Sequence, residues 1–475
     1  MKQKMSKFLT DSKPVLKKLI EELSKEFEYV SILGSDSKGK SYSVRKTAVS
    51  VGDSFSTERG FVLRVYNGLG YSEYSFDVID AENIKKEIRR IAKTDIEFLK
   101  SKNLERIKYP VIEEESLTKS FYAEVKESFD SMNDEQKIKR LESVMKKGFD
   151  YCPEMIDFQV RYEEVSVCKI FLSQKKDLEQ AYAYAISYLS PYLKKGESVK
   201  YSFQDFSGNC GMEILHKVED NIKKSIDATK ELLDAERIKP GVYDIICKQN
   251  VTGLIAHEAF GHGVEMDMFV KNRAKAKEFI GKKVASEITD MHDGAAAAEQ
   301  VSSYLFDDEG VLAQDTQIIE KGILKRGICD TLSALSLGIK PTGNGKRESF
   351  ERKAYTRMTN TFFSTKNSSL DEMIKSVDFG YLLDGYFSGM EDPKNWGIQC
   401  AVEKGYEIKD GKLTGKIVGP IFLTGYVPEL LSSISMISGE EDFELEGSGF
   451  CGKGYKEYVR TSAGGGYIKA RGRLG

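Results

Sequence analysis

Proline is scarce in this sequence, 9 residues in 475, and there is one tryptophan. Few prolines beside 41 glycines argue against a Pro-rich linker protein or a disordered chain. No apolar run approaches the roughly 18 residues that span a bilayer. The N-terminal stretch starts basic but has no apolar segment behind it, so neither a membrane span nor a secretory signal is expected. An excess of either charge is also missing: 71 Lys+Arg against 74 Asp+Glu leave a net charge of −3. Without a basic field, nucleic acid is not an expected partner. The seven cysteines (152, 168, 210, 247, 329, 400 and 451) are odd in number and contain no Cys-x-x-Cys pair. That usage fits a reducing compartment, and the expected location is the cytoplasm.

What remains is ordinary for a globular protein: 40% hydrophobic and 31% charged residues, with length enough for two or three cores. Ser12 or Asp11 is placed to cap a helix starting at Pro14, with Leu16, Leu19, Ile20 and Leu23 on its apolar stripe. Residues 60–66 read as a strand followed by Asn67-Gly68, the pair favoured in two-residue hairpin turns, and 69–76 as its partner. Asp80 caps a second helix bearing Ile84, Ile88, Ile91 and Phe98, and a third carries Ile138, Leu141 and Val144. Ile156, Phe158, Val160 and Tyr162 alternate as one face of a strand. Residues 181–189 are ambiguous, and 212–235 read as one long helix. Lys239-Pro240-Gly241 ends it and marks the expected boundary. Beyond it short strands and glycine turns dominate. The expected fold class is α+β: an α/β N-terminal domain over 1–238 and a β-rich C-terminal domain over 239–475.

Histidine is rarer than proline, with four residues, at 216, 257, 262 and 292. Two fall within His257-Glu258-Ala259-Phe260-Gly261-His262. A pair at one fixed spacing with an acid beside it arises by chance about 0.004 times in such a chain. Imidazole is a common zinc ligand, and an adjacent carboxylate can serve as the base toward water. In His-Glu-x-x-His the two rings lie about 40° apart around a helix. Here they are five residues apart, about 140° around, so one metal can take both only if the helix is overwound, bulged or ended between them. Gly261 and Gly263 are expected to ease such a break by their backbone freedom. A catalytic zinc takes three protein ligands and keeps a fourth position open. Cys451, within a glycine-rich segment, is the best third ligand by chemistry. Glu265 and Asp267 are ligands, acceptors for a ligand N–H, or ordinary surface charges. His216 and His292 are expected to be exposed bystanders, and the lysine-rich helix over 84–102 a solvated face.

Residues 251–268, with the His257-Glu258-x-x-x-His262 core, resemble the signature of the TldD/PmbA family of metallopeptidases, in its metal-bearing TldD branch. Residues 343–349, 357–361, Gly419-Pro420, Gly425 and the 451–454 turn resemble further family blocks in the same order. Tyr455 stands where the family commonly has Gln, and 396–399 match only loosely. The resemblance implies a zinc ion held by His257, His262 and Cys451, with Glu258 as general base. It further implies a dimer, with itself or with a metal-free PmbA-type paralogue, whose internal cavity takes unfolded peptides or flexible tails. Arg357 and Asn360 are placed either along the substrate channel or in strand-end hydrogen bonds. The expected function is a zinc peptidase. The alternative is a non-catalytic subunit binding a peptide or partner, and a purely structural zinc site would require a fourth protein ligand.

Overall fold

The computed structural model describes residues 1–104, 108–454 and 457–475; Tyr455 lies outside the described residues. The N-terminal half is built on a nine-stranded sheet. Its main path runs Tyr71–Phe76, Glu58–Tyr66, Val30–Arg45, Met155–Ser173, Lys176–Lys195 and Leu117–Tyr122. Side chains alternate across it, as strand geometry requires. Ile170 and Leu172 face the helices Lys7–Leu23 and Ala81–Ser101, while Phe171, between them, packs with Phe306 of the C-terminal half. At the sheet's other end Phe158, Val160 and Tyr162 pack with the Asp134–Tyr151 helix and the helices after residue 213.

The local signals hold where the chain supplies its own cap. Asp80 accepts from Asn83 N–H and starts the second helix; Ile84, Ile88 and Ala92 are its buried stripe, and Phe98 is exposed. The first helix starts earlier than expected: Ser6 caps it by accepting from Leu9 N–H, and Pro14 falls inside it. Asn67 nucleates a four-residue connection rather than a two-residue turn, its side-chain oxygen accepting from both Leu69 and Gly70 N–H. Ile156 is 41% exposed, because a register shift between Met155 and Asp157 takes it out of the alternation. The ambiguous 181–189 stretch is strand. The long helix expected over 212–235 is two, Ile214–Asp220 and Ile222–Leu233, broken at Asn221 (φ −106°, ψ 9°). The Asn221 amide donates to the Lys217 carbonyl at 2.8 Å, a local bond that competes with the helical ladder.

The C-terminal half is β-rich. Strands Gly241–Cys247, Phe379–Asp392, Gly397–Lys409, Ile421–Tyr426 and Ile468–Leu474 close into a ring, because the first pairs with both the second and the last. Two of these, of 14 and 13 residues, are longer than the short strands expected. A second, six-stranded sheet contains Met291–Asp293, Asn360–Phe363 and Ser462–Gly465. Between the sheets lies the largest apolar core, and into it the chain drives the helix Gln249–Leu254 and the turn that follows. Among the described residues no helix is long and apolar enough to cross a membrane.

Candidate metal centre

The strand Gly241–Cys247 delivers the chain to Gln249–Leu254, after which the helix widens into a π-helical turn over Ile255–Gly261. The His262 N–H donates to the His257 carbonyl, an i→i+5 bond that closes the turn between the two imidazoles. A π turn aligns residues five apart much as an α turn aligns those four apart. The two rings accordingly stand with centroids 5.0 Å apart and planes at 88°. Of the three distortions the spacing allowed, the structure shows the bulge. Ile255, Ala256, Ala259 and Phe260 are buried on one side of it, which leaves His257, Glu258 and His262 on the cavity side.

Gly261 contributes space rather than an unusual backbone angle. Its φ is −57°, ordinary helix, but an added Cβ would lie 2.3 Å from Met358 Sδ and 3.0 Å from the Ala256 carbonyl oxygen. At Gly263 a Cβ would meet only Trp396 Nε1, at 3.6 Å. The backbone freedom expected of these glycines is therefore not what shapes the turn.

Cys451 comes from the hairpin of Phe450–Lys453 and Glu457–Arg460, with Sγ 3.4 Å from His262 Nε2. One donor atom each from His257, His262 and Cys451 lies within 4.8 Å of the others. Two imidazole nitrogens and a sulfur at these separations suit an ion bonded at about 2.0–2.3 Å. No fourth His, Cys, Asp or Glu joins the group among the described residues. The donor set thus suits a three-ligand metal site better than a closed, four-ligand structural one.

The groups around the cluster aim it. Glu265 Oε2 lies 3.1 Å from His262 Nδ1, which holds the ring with Nε2 toward Cys451. Lys453 Nζ is 3.1 Å from Glu265 and 2.7 Å from Asp267, tying the Cys451 hairpin to the segment after His262. Asp267 touches neither imidazole and serves to hold Lys453 and Lys271. Burial opposes ionisation of the Cys451 thiol, but the imidazoles of His262 and His257 outweigh it and hold its pKa well below the ordinary thiol range. Burial likewise opposes the Glu265 carboxylate, and Lys453 and His262 reverse the effect, bringing it to about 2.

Glu258 lines the same cavity of about 590 Å³ as His257, His262 and Cys451. Its side chain runs so close to the Phe379–Asp392 strand that a Cβ on Gly389 would stand 2.3 Å from Glu258 Cγ. Glu391, from that strand, also faces the cavity, and burial pushes its carboxyl up to about 8. Arg357 and Asn360 do not line this cavity. Arg357 is 1% exposed and donates to the carbonyls of Cys451 and Glu457, stapling the hairpin that presents the sulfur. Asn360 is fully buried and donates to the carbonyls of Gly294 and Ala298. His216 is exposed, but His292 is half-buried, stacked on Phe362 at 5.7 Å and bonded to Asp315. Gly389, Glu391 and the lysine of the Cys-Gly-Lys turn escaped the sequence reading. Only Lys453 had a signal, its place two residues after Cys451.

A mixed α/β fold with a β-rich C-terminal half, carrying two histidines and a cysteine gathered as for a metal ion, defines a class of metallopeptidase-like proteins. The family model described as the PmbA/TldA metallopeptidase C-terminal domain matches residues 240–472. A metalloprotease of Methanocaldococcus jannaschii is 30% identical over 315 residues, 65% of this chain and 68% of that one. A metalloprotease TldD homolog of Buchnera aphidicola is 31% identical over 300 residues, 62% of this chain and 61% of the relative, so the match spans less than two thirds of its length. The chain belongs to the TldD/PmbA metallopeptidase family. In fold it is similar to TldE from Thermococcus kodakarensis (TM-score 0.70, 20% identity, 97% of this chain and 99% of that one). It is also similar to a proposed modulator of a DNA gyrase from Thermotoga maritima (TM-score 0.77, 17% identity, 98% of this chain and 100% of that one).

Proposed function

We propose that the chain is a zinc-dependent peptidase of the TldD-like branch that hydrolyses unfolded peptides or flexible protein tails. The observation that carries this reading is the meeting of three donor atoms within 4.8 Å in a cavity that Glu258 shares. His257, His262 and Cys451 would hold the ion, which when bound would supply Lewis acidity toward the scissile carbonyl and water. Glu258 accepts the proton of the attacking water at its carboxylate and returns it to the leaving amine. Glu265 keeps His262 in one tautomer, and Lys453 fixes Glu265. Exposed Phe450 and Met390 on the cavity wall suit the apolar side chains of an unfolded peptide. Seven unbridged cysteines fit a reducing, cytoplasmic setting. The second copy, whether the same chain or a metal-free PmbA-type paralogue, would close the cavity over the peptide.

The test is metal analysis of the purified chain, and incubation with a panel of unfolded peptides with and without chelator, products read by mass. The expected result is about one zinc per chain and chelator-sensitive cleavage. Glu258→Gln keeps the metal and loses cleavage; full activity in that variant removes the base assignment.

A second reading, a non-catalytic subunit that binds a peptide or partner, is favoured by likeness along almost the whole chain to a TldE and to a proposed gyrase modulator. It predicts peptide or partner binding that persists in Glu258→Gln and no cleavage by the metal-loaded chain.

A further inference from the structure

The space beside the metal centre continues away from it. Phe203, Asn250, Tyr386 and Glu446 line both the chamber that holds His257 and Glu258 and a second chamber of about 530 Å³. The second chamber is acidic, with Asp205, Asp384, Glu403 and Glu446 on its walls. Its inner lysines are engaged: Lys248 lies 2.7 Å from Asp384 and Lys404 2.5 Å from Glu231, while Lys217 and Lys224 are exposed at the rim. Asp384 is thereby neutralised. Asp205, Glu403 and Glu446 have no cation within ion-pair distance among the described residues.

Glu403 is 5% exposed and its Oε1 accepts no hydrogen bond; the buried Asp205 Oδ2 is likewise without a partner. The other oxygen of Glu403 rests on Gly385, whose φ of 70° keeps the position to glycine and where a Cβ would come within 2.5 Å of it. Burial pushes all three carboxyls above their ordinary range, Glu403 to about 8, and at Glu446 the charge of Asp205 adds to it. Buried carboxylates without a counter-charge are stabilised by an arriving cation.

The shape of the cluster limits which cation. Among the described residues only the His257 group brings three donors within 4.8 Å, so these acids are too spread to close on one metal ion. An ammonium or guanidinium on a long stem suits them better, with Phe203 and Tyr386, edge-on at 6.3 Å, as apolar wall for its methylenes.

We propose that Asp205, Glu403 and Glu446 form a subsite for the Lys or Arg side chain of a peptide lying past Glu258, so that the substrates are basic unfolded peptides. The inference rests on the peptidase reading for the word substrate, and binding tests it independently. Full-length Glu258→Gln protein is titrated with a labelled unfolded peptide containing lysines, and with the same peptide carrying norleucine at each lysine, by fluorescence anisotropy. The lysine peptide is expected to bind about tenfold tighter, the worth of one charge-assisted hydrogen bond. Adding Glu403→Gln and Glu446→Gln brings the ratio below about twofold with an unchanged circular dichroism spectrum. Equal affinities before those substitutions overturn the subsite, as does a preference that survives them. Cleavage by the unsubstituted chain is scored apart: lysine preference without cleavage sinks the peptidase reading and supports the subsite, and cleavage without preference does the reverse.

Discussion

His262 uses both ring nitrogens, one toward Glu265 and one toward Cys451, and this division of labour makes single atoms decisive. Glu265→Gln keeps an acceptor for Nδ1 but removes the charge that favours a metal-binding Nε2. Zinc affinity is expected to fall about tenfold, read by competition with a chromogenic chelator. Gly389 acts on the other partner. Gly389→Ala sets a methyl group 2.3 Å from Glu258 Cγ, so the carboxylate must move. A displacement near 1 Å is expected to cost about a hundredfold in kcat with zinc content unchanged; equal losses of both would show that the strand, not Glu258, had been disturbed. The types and spacing of His257, Glu258 and His262 carry chemistry that is legible in the sequence, whereas Cys451, one cysteine among seven, joins them only through the family resemblance. The sequence could not show Gly389, since a glycine that yields room leaves no mark until the strand beside it is placed. Arg357 was ambiguous for a related reason: an arginine that lines a channel and one that staples a hairpin look alike as letters.

Elements were legible where one residue both starts and fixes them. Asp80 before an isoleucine stripe marks the true start of the second helix, whereas the Ser6 cap is masked in the sequence by Pro14, the stronger local signal. The break at Asn221 was hidden because apolar spacing continues across it, and only the side-chain bond to Lys217 interrupts the ladder. The π turn was half legible. The five-residue spacing demanded a departure from regular helix, but which one depends on the packing of Met358 beneath Gly261. Gly261→Ala forces Met358 aside and is expected to destabilise the fold by about 1–3 kcal/mol. Zinc should weaken along with stability, as measured by thermal unfolding with and without the metal. A variant that is less stable but binds zinc unchanged would uncouple the turn from the ligand geometry.

The two halves of the chain are locked by charge. Glu73 of the N-terminal sheet pairs with Arg64, at 2.7 Å, and with Arg347 of the C-terminal half. Arg460, from the strand beside Cys451, reaches back to Glu163. Burial alone would raise the Glu73 pKa, yet Arg347 and Arg64 hold it far below its ordinary value of 4.5. The unfolded chain therefore binds the proton more readily. The stability from this pair is complete above about pH 4.5 and is lost as pH falls through that value toward the depressed one. Glu73→Gln is expected to cost about 3 kcal/mol at neutral pH and to flatten the acid limb of the stability curve, measured by urea unfolding between pH 3 and 7. An acid limb of unchanged steepness would assign it to other carboxyls.

The sulfur of Cys451 stands 189 residues from the ring it meets. During translation the imidazoles therefore emerge long before the thiol, and the three-donor cluster stays open on one side until residue 451 has been added.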